Sequence, residues 1–121
     1  MAKTILTVDD SRTIREMLKA ALMDAGMEVV QAEDGVHGLE VLETCEPDVI
    51  ITDINMPRMD GFGVIEGVRA DPNHRTTPVL VLTTESDVEK KARARAAGAT
   101  GWIVKPFDPA KLVDAVRRVA A

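Results

Sequence analysis

Short apolar runs and longer amphipathic stretches alternate along the whole chain. The runs are Ile5-Leu6-Thr7-Val8, a weaker Glu28–Ala32, Val49-Ile50-Ile51-Thr52, Val79-Leu80-Val81-Leu82-Thr83 and Gly101-Trp102-Ile103-Val104-Lys105. β-Branched runs that do not alternate with polar residues predict strands buried on both faces, as in a parallel sheet. After the first run, Ile14, Met17, Leu18, Ala21 and Leu22 keep helical spacing up to Gly26, a residue favoured just past a helix end. A second helix follows Asp34-Gly35, with Leu39, Leu42 and Cys45 apolar and Pro47 beyond it. Gly61 to Ala70 predicts a third helix, disfavoured by Gly61, Gly63 and Gly67, which permit close backbone approach or loosen it. Asp71-Pro72-Asn73-His74 reads as a surface turn, Ser86 to Ala97 as a fourth helix closed by Gly98, and Pro109 as the opening of a last helix with Leu112, Val113 and Val116 inward. Strict alternation of strand and helix predicts an α/β fold, a five-stranded parallel sheet covered by helices on both faces through right-handed crossovers. We expect one domain over residues 1–121.

Composition narrows this picture without changing it. Aromatics make up 2% of the 121 residues, so the core must be built from Val, Ile, Leu, Met and Ala. Cys45 is the only cysteine, which excludes an intramolecular disulfide and fits a reducing cytoplasm, with inert packing as its expected role. No apolar run approaches the ~20 residues needed to cross a bilayer, so no membrane insertion is expected. A net charge of −5 argues against nucleic acid as a partner. A cytoplasmic monomer is expected.

The chemistry stands where the strands end. In an open parallel sheet, sites form beyond the carboxyl ends of the strands. Strand one stops at Asp9-Asp10, strand three at Asp53, strand four at Thr83-Thr84 and strand five at Lys105-Pro106. Asp53 is followed by Ile54-Asn55-Met56-Pro57, and the proline keeps the chain from turning directly into a helix, so the carboxylate is displayed on a stiff loop. Three converging carboxylates repel one another unless a cation joins them, and Mg2+ suits a few carboxylate oxygens, waters and a phosphate. An ammonium such as Lys105 would pair with phosphoryl oxygens, Thr83 could hydrogen-bond them, and an aspartate can itself attack phosphorus.

Through Val8-Asp9-Asp10-Ser11, Asp53-Ile54-Asn55-Met56-Pro57-Arg58-Met59-Asp60-Gly61, Leu82-Thr83-Thr84 and Lys105-Pro106-Phe107, the whole chain resembles the receiver domain of two-component response regulators, most closely the single-domain CheY type. The resemblance implies a flavodoxin-like (βα)5 fold with strand order 2-1-3-4-5 and a cis peptide between Lys105 and Pro106. It implies Asp53 as phosphoacceptor, Mg2+ held by Asp9, Asp10, Asp53 and the Asn55 backbone carbonyl, Lys105 as the phosphoryl-binding lysine, and Thr83 as the switch hydroxyl. Trp102 falls where the family has a Tyr or Phe switch aromatic; its ring is larger and offers a donor only, a departure that bears on the Thr–aromatic coupling. Thr84, Glu85 and Asn55 would border the phosphoryl group and tune its hydrolysis. Lys90, Lys91, Arg93 and Arg95, beside Trp102, would belong to the partner-binding surface, although such a run can equally be a solvated helix face.

The implied function is a switch rather than an enzyme. A histidine kinase of the chemotaxis type phosphorylates Asp53, and the altered surface binds a protein partner, the flagellar motor switch being the leading one. No output domain is expected after Ala121, so output by protein–protein contact is expected. The alternatives are a phosphate sink or a cell-cycle or stress relay and, more distantly, a Mg2+-dependent phosphohydrolase, whose expected Asp-x-Asp pattern is here the adjacent Asp9-Asp10. A flavin-binding protein is disfavoured because Asp10-Ser11-Arg12-Thr13 is no phosphate cradle. His37 and His74 lie at no strand end and are expected to be solvated surface residues.

Overall fold

The computed structural model describes residues 2–120. Its elements run β1 (Thr4–Val8), α1 (Arg12–Asp24), β2 (Glu28–Ala32), α2 (Gly35–Leu42), β3 (Val49–Thr52), α3 (Gly61–Ala70), β4 (Val79–Thr83), α4 (Val88–Ala97), β5 (Gly101–Val104) and α5 (Pro109–Ala120). The strands form one parallel sheet in the order β2-β1-β3-β4-β5. This is the flavodoxin-like arrangement expected.

Burial follows position in the sheet. Every residue of the central β3 and of β4 is buried, whereas the edge strands β2 and β5 are mostly half-buried, which is why β2 carries the weakest apolar signal. Side chains alternate between faces, as strand geometry requires. Ile5, Val49, Ile51, Leu80 and Leu82 pack with α1 and α5 through Leu18, Leu22, Leu112 and Val116. Leu6, Val8, Ile50, Val79 and Val81 pack on the other face with α2, α3 and α4 through Leu42, Phe62, Ile65, Val68 and Ala94. Helix starts cluster near the carboxyl edge of the sheet. There Ser11, Asp34, Asp60 and Asp87 cap α1 to α4 with their side chains, and Asp108 accepts from the Ala110 and Lys111 amides at α5.

Several local expectations need correction. Helix α2 ends at Leu42, so Cys45 lies beyond it, half-buried, and burial pushes its thiol pKa up. Helix α4 starts at Val88 rather than Ser86, because Asp87 takes the cap and accepts from the Glu89 amide. The histidines are less exposed than expected, His74 being buried and His37 half-buried. His74 is 5% exposed, its Nδ1 sharing a hydrogen bond with Thr77 Oγ1 at 3.2 Å, and His37 is half-buried, its Nδ1 accepting from the Glu33 amide. The burial of His74 follows from Arg69, whose guanidinium reaches the carbonyls of His74, Thr77 and Gly98 and draws the 71–78 segment inward. At Gly98, φ is +114°, a left-handed C-cap open to glycine.

The α3 glycines serve close approach. A Cβ at Gly61 would strike the Asp53 carbonyl, one at Gly63 would meet Met59, and one at Gly67 would meet Leu39 at 2.6 Å.

Candidate functional site

Strand register builds the site. Val8 pairs with Thr52 across β1 and β3, so Asp9 and Asp53 are neighbours one step past the strand ends. Each continues the ladder by one bond, the Asp9 amide donating to the Ala32 carbonyl at 3.1 Å and the Asp53 amide to the Val8 carbonyl at 3.0 Å. Thr83 pairs with Val104, and the Lys105 amide donates to the Thr83 carbonyl at 2.8 Å. Three residues far apart in sequence are thereby fixed by backbone rather than by flexible loops.

Lys105 Nζ lies 2.9 Å from both Asp9 Oδ2 and Asp53 Oδ2. The other oxygens are also engaged: Asp9 Oδ1 accepts from the Ser11 amide at 2.9 Å, and Asp53 Oδ1 from the Ile54 amide at 2.6 Å. Asp10 is exposed. Carboxylate oxygens of Asp9, Asp10 and Asp53 all lie within 4.8 Å of one another. Burial raises the Asp9 pKa above its ordinary value despite the opposing hydrogen bonds from Lys105 and Ser11. Burial also acts against the charge of Lys105, but its bonds to Asp9 and Asp53 outweigh this and raise its pKa. The Asn55 carbonyl accepts no hydrogen bond among the described residues. Crowded carboxylates, an oxygen-only donor set and a free carbonyl fit a hard divalent cation. The peptide between Lys105 and Pro106 is cis.

A family model, "Response regulator receiver domain", matches residues 5–117. The chain belongs to that family. Among its relatives, the "Chemotaxis protein CheY-3" of Vibrio cholerae is 39% identical over 116 residues, which are 95% of this chain and 89% of that protein. The structure of V. cholerae chemotaxis protein CheY4 is similar with a TM-score of 0.94 at 46% identity, covering 98% of this chain and 99% of that one. A receiver domain of the sensor histidine kinase PA1611 of Pseudomonas aeruginosa, described with a magnesium ion coordinated in its active site cleft, has a TM-score of 0.91 at 27% identity over 99% of this chain and 98% of that one. Membership makes this chain a signalling module of two-component systems, with an acidic cluster able to hold a metal ion.

Around the acidic trio, the receiver's remaining candidates gather on Glu85. Its amide donates to Thr83 Oγ1 at 3.3 Å, and its carbonyl accepts the Trp102 indole N–H at 3.1 Å. Its Oε1 accepts from Asn55 Nδ2 at 3.2 Å and Lys90 Nζ at 3.1 Å, and the Lys90 and Asn55 bonds lower its pKa. Thr83 is fully buried and makes no hydrogen bond to the acidic trio, while Thr84 is exposed at the start of the same loop. Trp102 packs against the core, and a shallow pocket beside it is lined by Lys91 and Arg95. Arg93 instead stacks 3.9 Å above the Phe62 ring, so α3 holds it.

Two arrangements were not foreseen. Arg15 Nη1 donates to the Asp9 carbonyl at 2.6 Å, and Arg58 grips Asp34 with two hydrogen bonds. Their sequences give no signal, because each partner is chosen by loop geometry; only Asp34 before a helix reads as a cap.

Proposed function

We propose that this receiver domain takes a phosphoryl group onto Asp53 from a histidine kinase and passes the signal by changing its affinity for a protein partner. The carrying observation is Lys105 Nζ at 2.9 Å from Asp9 Oδ2 and Asp53 Oδ2, with Asp10 completing the trio. An Asp53 carboxylate oxygen attacks the phosphorus of a phosphohistidine, the P–N bond breaks, and its electron pair returns to the imidazole nitrogen. Lys105 leaves the carboxylates to pair with the phosphoryl oxygens, and Thr83 turns its hydroxyl from the Glu85 amide towards the same group. Asp9, Asp10, Asp53 and the Asn55 carbonyl would hold Mg2+, which supplies neutralisation of the phosphoryl charge. The magnesium described in the similar PA1611 receiver supports that choice.

Glu85 connects this chemistry to the output face. Thr83, Asn55, Lys90 and Trp102 all bond to it, so a change at Thr83 or Asn55 reaches α4 and β5 directly. Asn55, Thr84 and Glu85 border the path of an attacking water and set the phosphoryl lifetime. Lys90, Lys91, Arg95 and Trp102 form the partner surface. The chemotaxis names of its relatives support a chemotaxis regulator, and on this reading it is a cytoplasmic monomer that acts on the flagellar motor switch. Similarity to a receiver from a sensor histidine kinase keeps a relay or phosphate sink as the second reading.

The test is labelling of the purified chain by acetyl phosphate and by phosphorylated kinase, with and without Mg2+, read by intact mass. Stoichiometric, Mg2+-dependent labelling that disappears in Asp53→Asn is expected. Persistent stoichiometric labelling of Asp53→Asn would sink the assignment.

A further inference from the structure

Arg58 is the sole non-glycine residue with positive φ among the described residues, at +66°. It lies in the loop that leads from Asp53 through Asn55 to α3. A bulky side chain disfavours this conformation, and it persists where surrounding contacts over-determine it. The contact here is a two-pronged one. Arg58 Nε donates to Asp34 Oδ2 at 2.8 Å and an Nη to Asp34 Oδ1 at 3.0 Å, while Oδ1 also caps α2 through the His37 amide at 2.8 Å. Asp34 is 5% exposed. Beside the pair, Met59 is pressed on the start of α2, so that a Cβ at Gly35 would lie 2.6 Å from the Met59 carbonyl.

Ile54 is buried and Met56 and Met59 pack on the core, whereas the backbone of the loop makes few hydrogen bonds. The Ile54 carbonyl accepts from the Gly61 amide at 2.8 Å and the Pro57 carbonyl from the Met59 amide at 2.7 Å. Between them, the one hydrogen bond of Asn55 among the described residues is made by its side chain, to Glu85. An ordinary exposed ion pair would contribute little, but a bidentate one on a buried, capping carboxylate fixes orientation. The left-handed backbone at Arg58 and the reach of its guanidinium to Asp34 at the start of α2 occur at the same residue.

We infer that the Arg58–Asp34 pair is a clamp that positions the Asn55 segment for divalent-cation binding, making Arg58 and Asp34 positioning residues for the phosphotransfer site. The inference rests on the receiver reading. Neither residue belongs to the acidic trio, and both act on it through the loop. A clamp of this kind predicts that metal affinity and fold stability separate. Arg58→Gly releases the backbone strain while removing the grip, and Asp34→Asn keeps a capping oxygen for the His37 amide.

The experiment is calorimetric titration of the full chain with MgCl2, paired with thermal unfolding in EDTA. Removing an interaction that orients a metal ligand weakens binding by roughly tenfold at the low end. Arg58→Gly and Asp34→Asn are each expected to show that loss, Arg58→Gly without a fall in unfolding temperature, and the double variant no more than the worse single one. Mg2+ affinities within twofold of wild type in both variants overturn the clamp, as do losses that multiply in the double variant. Absence of Mg2+ binding by the wild-type chain overturns the proposed Mg2+-dependent phosphotransfer site together with the clamp. Wild-type binding with unchanged variants overturns the clamp alone.

Discussion

Replacing Lys105 by methionine should make the metal-free protein less stable and its Mg2+ affinity higher. The ammonium holds two carboxylates at 2.9 Å each, and the three side chains are 10%, 2% and 11% exposed for Lys105, Asp9 and Asp53. Removing one member of a buried ionic cluster typically costs ~3–5 kcal/mol. The lower figure applies here, because the raised pKa of Asp9 lets that carboxyl take up a proton more readily when its partner goes. For a chain of this length, ~3 kcal/mol corresponds to an unfolding temperature lower by about 10 °C in EDTA. Mg2+ binding moves the other way. A unit positive charge ~4 Å from a dication costs about 2 kcal/mol even in a dielectric like water, or roughly thirtyfold in affinity. Lys105→Met removes that competitor. Thermal unfolding in EDTA and calorimetric Mg2+ titration at low salt read both arms. Unchanged or weaker Mg2+ affinity in Lys105→Met would refute the reasoning, since the ammonium would then not compete for these oxygens.

Asp9→Asn should stabilise the protein in EDTA at neutral pH. The folded Asp9 pKa lies above the unfolded value, so the protonated acid favours folding below the ordinary pKa of 3.8 and that contribution is lost as pH rises through the folded pKa. The advantage of the variant should therefore vanish on acidification, and Mg2+ should reverse the ranking at neutral pH; a pH series of urea midpoints decides. Arg69→Ala should destabilise by about 2–4 kcal/mol, since its guanidinium makes charge-assisted bonds to the carbonyls of Gly98, His74 and Thr77. Arg69→Lys should recover less than half, because one ammonium cannot span the three. A urea unfolding change under ~0.5 kcal/mol for Arg69→Ala would show that water replaces those bonds freely.

The sequence by itself determined the sheet, its helices and which polar residues stand at the strand ends. A short β-branched run such as Val49-Ile50-Ile51-Thr52, bounded by Pro47 and Pro57, favours a strand covered on both faces, and a parallel sheet brings the carboxyl ends of its strands to one edge. Asp9, Asp53, Thr83 and Lys105 were legible because each directly ends or follows such a run. Tertiary structure alone decided how those groups are held. Lys105 straddling Asp9 and Asp53 depends on strand register, which one-dimensional pattern does not encode. Trp102 donating to the Glu85 carbonyl, and Arg58 taking a left-handed backbone to reach Asp34, depend on loop paths between elements. His74 read as surface because it lies at no strand end and closes the turn Asp71-Pro72-Asn73-His74, yet Arg69 buries it by collecting carbonyls from two loops. Hydrophobic periodicity reports what a residue does along its own strand or helix. It carries no information about which loop carbonyl or carboxylate lies across the gap, and those pairings tie the acidic site to α2, α4 and β5.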